Sequence, residues 1–168
     1  MTTIALYLAA IVLANLLTAA LGPRATIANA FLLIGLDLTT RDQLHDTWHN
    51  HHLTRKMGAL IAAGSILTVA LNWHAWRIAL ASAVAFALSA TTDTLVYHRL
   101  QHLPTFRKVT ASNIAGALVD SLAFPALAFG AWMPWITLAQ LTAKIAGGAL
   151  WAYLLYRPTK GATPWPLP

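Results

Sequence analysis

Residues 4–21 read IALYLAAIVLANLLTAAL, an uncharged apolar run closed by Gly22-Pro23. Crossing the hydrocarbon core of a bilayer takes about 20 mostly apolar helical residues, with a lower bound near ~17. No water reaches the core to satisfy backbone N–H and C=O groups, so a run of this kind is helical there. It lacks the basic n-region of a secretory leader and is longer than a typical h-region, so it reads as a first spanning helix.

Five more apolar segments follow, and together they predict an all-α, polytopic membrane protein with six transmembrane helices in a single membrane domain, residues 1–168. The expected spans are 4–21, 25–45, 57–73, 78–98, 109–130 and 135–156. The second is short before it meets Asp37 and continues through LTTRDQLHDTW into the headgroup zone. Charged residues make up 10% of the chain, against ~25% in soluble domains, too few to cover a water-facing surface.

The net charge of +6 does not indicate nucleic acid, because no basic run or basic–aromatic patch is present. It follows loop position instead. Arg41, Arg55, Lys56, Arg99, Arg107, Lys108, Arg157 and Lys160 fall on one side of the expected spans, and only Arg24 and Arg77 on the other. The positive-inside bias then predicts that both termini are cytoplasmic, in a multi-pass protein of the plasma (inner) membrane. Trp73, Trp76, Trp132, Trp135 and Tyr156 stand near span ends, where amphipathic rings favour the interface. Gly147-Gly148 and Ser112/Gly116 offer small surfaces for close helix contact. The chain has no cysteine, so disulfides, thiolate metal sites and cysteine nucleophiles are excluded.

Polar residues inside the spans are the candidates for function. Asp93, Asp120 and Lys144 are ionisable, and each costs roughly 2.5–3.5 kcal/mol at a span centre unless it meets a partner or a wet cavity. Asn113 and Asp120 are seven residues apart, two turns along one helix face. Gln140, Asn15 and Asn29 add amides. An Asp–Lys pair with amides joining helices would explain two of the three charges and leave one carboxylate over. A polar pocket between the fourth, fifth and sixth spans explains all three. Carboxylates, amides and one ammonium suit a ligand with clustered donors and acceptors, such as a guanine-like edge, though many polar vitamins share that chemistry. Tyr97, Phe124 and Trp151 offer nearby faces for stacking.

Two stretches carry a resemblance. ATIANAFLLIGLDLTTRDQLHDTW (Ala25–Trp48) and SNIAGALVDSLAF (Ser112–Phe124) resemble the queuosine precursor transporter family, also called the vitamin uptake transporter family. TDTLVYHRL (Thr92–Leu100) and the lone lysine of LTAKIAGGALWAYLLY are similar to its fourth and sixth spans. The resemblance implies six membrane helices laid out like the substrate-binding components of energy-coupling-factor transporters, and uptake of 7-deazaguanine precursors of queuosine. It also marks Asn29, Asp37, Arg41, Asp93, Asn113, Asp120 and Lys144 as matching polar positions. The expected function is import of 7-cyano-7-deazaguanine or a related base, with Asp93, Asn113, Asp120, Lys144, Gln140 and Asn29 binding substrate. Asp37 and Arg41, at i and i+4, are expected to lock or gate the second span's end. Partners are the nucleobase and the lipid bilayer; a homo-oligomer and an external ATPase module stay open, the latter defining an alternative role as a vitamin-binding subunit.

A third reading starts from HDTWHNHH, where His45, His49 and His52 share a helix face at metal-ligand spacing. Membrane di-iron oxygenases use such boxes, but they need several, and His74, His98 and His102 stand singly. A solvated helix end beside anionic headgroups is the plainer account. No Ser–His–Asp order, phosphate loop or GxSxG elbow appears. Neither catalysis nor a cofactor is therefore expected.

Overall fold

The structure, a computed structural model, describes residues 2–48 and 52–155. Helices start and stop where apolar sequence gives way to turn-forming residues. Helix α1 (Thr2–Leu21) ends at Gly22, whose φ of 76° suits a residue without a Cβ. Helix α2 (Ala25–Asn29) runs without a break through a π-helical turn (Ala30–Ile34) into α3 (Gly35–Trp48). Helix α4 (Leu53–Leu71) ends at Asn72, whose side chain accepts a 3.1 Å hydrogen bond from the His74 backbone N–H and starts a 3-10 turn (Trp73–Ala75). Helix α5 (Trp76–Arg99), α6 (Thr105–Phe129) and α7 (Pro134–Leu155) complete the order. Pro134 opens α7 at the first helical position, where its missing N–H would have had no intrahelical partner and its fixed φ suits the helix. Gly130, at φ 67°, closes α6.

With α2, the π turn and α3 forming one rod, six rods stand side by side in a closed ring. Around it, α1 packs on α4, α4 on α5, α5 on α6, α6 on α7, and α7 on the α2–α3 rod, which returns to α1. Short connections make rods that follow in sequence antiparallel. The ring has two distinct ends. At the first, Tyr7, Leu44 and Met57 form a buried cluster, and Arg55, Lys56, Arg99 and Arg107 are exposed; this is the basic end. At the other, Ile78, Ala81 and Ala128 pack with Ala19, Phe124 and Phe129, and Trp73, Trp76, Trp132 and Trp135 are exposed; this is the tryptophan end.

The distribution of polarity is inverted relative to a water-soluble bundle. Leu13, Leu17, Ile66, Leu80, Leu95 and Leu138 point outward. Asn15, Thr18, Asn29, Thr68, Gln140 and Lys144 are buried. Water would not support such a surface, and lipid would. Three of the rods contain a stretch that is long and apolar enough to cross a bilayer, within Thr2–Leu21, Trp73–Arg99 and Thr110–Phe129. The α2–α3 rod and α7 carry Asp37, Arg41, Gln140 and Lys144, which lower mean hydropathy although they face the ring interior. Arg55 and Lys56 shorten the apolar part of α4.

The rods approach most closely where glycines remove side chains. A Cβ on Gly147 of α7 would lie 2.0 Å from the Phe31 carbonyl oxygen in the π turn, and one on Gly35 would lie 2.6 Å from the Gly147 backbone. A Cβ on Gly116 of α6 would lie 3.2–3.3 Å from Ser89 and Asp93 of α5. Backbone against backbone is the contact that small residues permit between membrane helices.

Candidate functional site

Inside the ring lies a cavity of about 880 Å³, lined by residues from every rod rather than by the last three alone. Its polar lining includes Asn15, Asn29, Asp37, Arg41, Asp93, Asn113, Asp120, Gln140 and Lys144, so all nine amide and charged positions singled out within the expected spans face one space. Asn113 and Asp120 do share a face of α6, and that face looks inward.

The cavity is asymmetric. Toward the tryptophan end the polar side chains bond to one another. Gln140 Nε2 donates to Thr26 Oγ1 at 2.7 Å, joining α7 to α2. Asn29 Nδ2 donates to Thr18 Oγ1 at 3.0 Å and to the Ala14 carbonyl at 3.1 Å, joining α2 to α1. Asn15 Nδ2 donates to Thr68 Oγ1 at 3.4 Å, joining α1 to α4. Four rods are thus stitched by amide–hydroxyl bonds, and the residues that form them are 0–7% exposed. Bonding of this kind is what a polar group in an apolar interior requires. Both amide N–H groups of Asn29 and one of Gln140 are therefore taken up by the protein itself.

At mid-depth, Lys144 Nζ of α7 makes an ion pair with Asp120 Oδ2 of α6 and donates to Ser121 Oγ at 3.0 Å. The two charges compensate each other across a helix interface. Lys144 is 5% exposed and Asp120 26%, so the carboxylate still faces the cavity while the ammonium is enclosed. One turn further along α6, buried Pro125 lacks the N–H that would bind the Ser121 carbonyl, which loosens the helix beside this pair.

Toward the basic end the pattern reverses. The exposed polar residues of the lining, Thr91, Thr94, Thr110 and Asn113, all lie in this half. Asp93 Oδ1 is buried with no hydrogen-bond partner, and so is Arg41 Nε. The Arg41 guanidinium lies over the Phe86 ring, 5.6 Å from its centroid, an arrangement stabilised by the ring's negative face. Asp37 is 5% exposed on the same wall, within electrostatic reach of Tyr7 together with Arg41.

Of the aromatic residues expected to stack on a ligand, Phe124 lines the cavity. Trp151 is engaged elsewhere: its indole N–H donates at 2.7 Å to the Leu32 carbonyl, within the π turn where backbone bonding shifts register. Tyr97 packs edge-on against His98 outside the lining. Phe86, which does line the cavity, was not singled out because nothing in its local sequence separates a cavity aromatic from a lipid-facing one. Of the histidine cluster, His49 and His51 lie outside the described residues, as does the side chain of His45. His52 is exposed and left-handed at the start of α4. Among the described residues no group of three or more His, Asp or Glu side chains is placed to hold a metal ion.

No curated protein and no solved structure matches the chain. One family model does, over residues 2–157, and its description is "Putative vitamin uptake transporter". With nearly its whole length matched, the chain belongs to the vitamin uptake transporter family, a family of membrane transporters.

Proposed function

We propose that the protein imports a queuosine precursor, 7-cyano-7-deazaguanine or a related 7-deazaguanine base, through the cavity at the centre of the ring. The observation that carries this reading is the paired character of the cavity: self-satisfied amides at the tryptophan end, and unfilled acceptors and donors toward the basic end. In this reading all six rods cross the plasma membrane as one domain, with both termini and the basic end cytoplasmic.

A deazaguanine offers two adjacent N–H donors on one edge. Asp120, still a quarter exposed, accepts from that edge. Asn113 reaches the base from one helical face with Asp120, and Phe124 supplies a stacking surface. Asn29 holds the wall, because both its amide N–H groups already bond within the protein, while Gln140 and Lys144 bond the wall and each keep one N–H for the ligand. Asp37 and Arg41 line the cavity toward the basic end, and in this reading they gate it.

The test is thermal stabilisation of the detergent-purified protein by 7-cyano-7-deazaguanine, its aminomethyl relative, guanine, queuine, riboflavin and biotin. A ligand that binds only the native state adds about 2.7 kcal/mol at 100 times its Kd, a readable melting shift. A shift confined to the deazaguanines and lost in Asp120→Ala supports the reading. A shift confined to riboflavin or biotin, or no shift at all in a folded sample, refutes the assignment of substrate.

A further inference from the structure

Four buried polar atoms toward the basic end make no hydrogen bond: Tyr7 Oη, Asp37 Oδ1, Arg41 Nε and Asp93 Oδ1. Arg41 Nε only donates and an ionised Asp93 only accepts, so these two are complementary. No ion pair joins them in this state. A donor and an acceptor left bare in one cavity are costly, and a second state that joins them accounts for both.

The ring order sets the α2–α3 rod opposite α5, with α1 and α4 between them on one side and α6 and α7 on the other. The Arg41 guanidinium over the Phe86 ring therefore reaches across the ring interior. Both rods run from the tryptophan end toward the basic end. Asn29 bonds Thr18 of α1, and the neighbouring Ala19 packs with Ile78 and Ala81 of α5, so the two rods start at about one level. Arg41 comes 16 residues after Ala25 and Asp93 comes 17 after Trp76, so their Cα atoms are about level. Phe86 comes only 10 after Trp76 and is ~10 Å deeper. That is near the depth of Asp120, which precedes Phe129 of the tryptophan-end cluster by nine residues. Helical side chains lean toward their own N-terminus, which lets Arg41 reach back to Phe86. Phe86 and Asp93, seven residues apart, share one face of α5. Asp37, one turn before Arg41 on the same face, lies between the two levels and favours the cation at either.

We propose that Arg41 is a two-position crossbar of the transport path: it stacks on Phe86 in the state described, and pairs with Asp93 in a second state that closes the cavity across its basic end. The exchange trades a cation–π contact for an ion pair. In the first position the guanidinium lies at the depth of Asp120; in the second it clears that depth and spans the ring about two turns nearer the basic end. This rests on the cavity being the transport path, not on which base it carries.

A single cysteine at Ala117, a lining position on α6 in a chain with no other cysteine, reads the crossbar without any ligand. The probe is neutral iodoacetamide on the detergent-purified Ala117→Cys protein. Rates are taken on the high-pH plateau, where a change in thiolate fraction has no effect. Asp93→Asn removes the second position and should label fastest. Phe86→Leu removes the first and should label slowest, with the parent protein between them and at least ~3-fold separating the extremes. Arg41→Gln vacates both positions, should match Asp93→Asn, and replaces it should that variant not fold. The exchange Arg41→Asp/Asp93→Arg restores the pair but gives up the stack, so it should label no faster than the parent. Equal rates throughout a folded set, or Phe86→Leu labelling faster than Asp93→Asn, overturn the crossbar. An exchanged variant as fast as Asp93→Asn also overturns it, because the two residues then act separately. The substrate assignment survives each of these results, since no base is present, and a failed ligand panel leaves the crossbar standing.

Discussion

Replacing Lys144 by Met keeps the length of the side chain but removes the charge that Asp120 and Ser121 depend on. Removing one partner of a buried ion pair costs about 3–5 kcal/mol, because the other charge is left uncompensated. Here the cost falls on Asp120, which at 26% exposure regains some hydration from the cavity. We therefore expect a loss of about 2–4 kcal/mol for Lys144→Met, or roughly 4–16 °C in Tm for a domain of this size. The double variant Lys144→Met/Asp120→Leu removes both charges and fills both volumes with apolar atoms, so it should return to within ~1 kcal/mol of the wild type. The assay is thermal unfolding in detergent followed by intrinsic tryptophan fluorescence, with the single variant Asp120→Leu completing the cycle. A loss below ~1 kcal/mol in Lys144→Met, or a double variant no more stable than the worse single one, would refute the reasoning that this pair is a buried, mutually dependent unit. Uptake by the double variant separates binding from architecture: a stable protein without transport places Asp120 at the ligand, and full transport makes the pair purely structural.

Three further outcomes can be measured independently. Gly147→Ala should destabilise by at least ~3 kcal/mol or prevent folding, since its Cβ would meet the Phe31 carbonyl at 2.0 Å, whereas Gly148→Ala, whose nearest neighbour is Leu38 at 4.0 Å, should stay within ~0.5 kcal/mol by the same unfolding assay. Trp151→Phe gives up the 2.7 Å hydrogen bond to Leu32 and should cost ~0.5–1.5 kcal/mol while ligand-induced stabilisation is kept; a larger loss, or lost ligand response, would show that the π turn has a part in binding. Because the chain has no cysteine, single cysteines at His102 and Trp132 report topology directly: a membrane-impermeant maleimide on whole cells should label Trp132→Cys and spare His102→Cys, and the reverse would invert the orientation.

Much of the architecture is written in one dimension. Apolar runs of near-bilayer length, the Gly22-Pro23 break and the left-handed Gly130 mark helix ends, because backbone conformation at those points depends on the residues themselves. The scarcity of charge and the polar residues within apolar runs likewise predict a lipid-facing exterior with something polar inside. The seven-residue spacing of Asn113 and Asp120 places both on one face of α6 without reference to any other helix. Only the tertiary structure decides what each polar group does. Gln140 and Thr26 are 114 residues apart, and their hydrogen bond exists because α7 closes the ring against α2. Lys144 finds Asp120 and Ser121 across the α6–α7 interface, while Asp93, equally polar and one helix away, keeps an oxygen without a donor. Trp151 faces the π turn instead of the cavity because Gly147 and Gly35 bring α7 and that turn to backbone contact. Periodicity along one helix identifies which side chains share a face. Whether that face meets lipid, a neighbouring amide or an open cavity is set by the rods around it, and those contacts are made between residues too distant in the chain for local pattern to join.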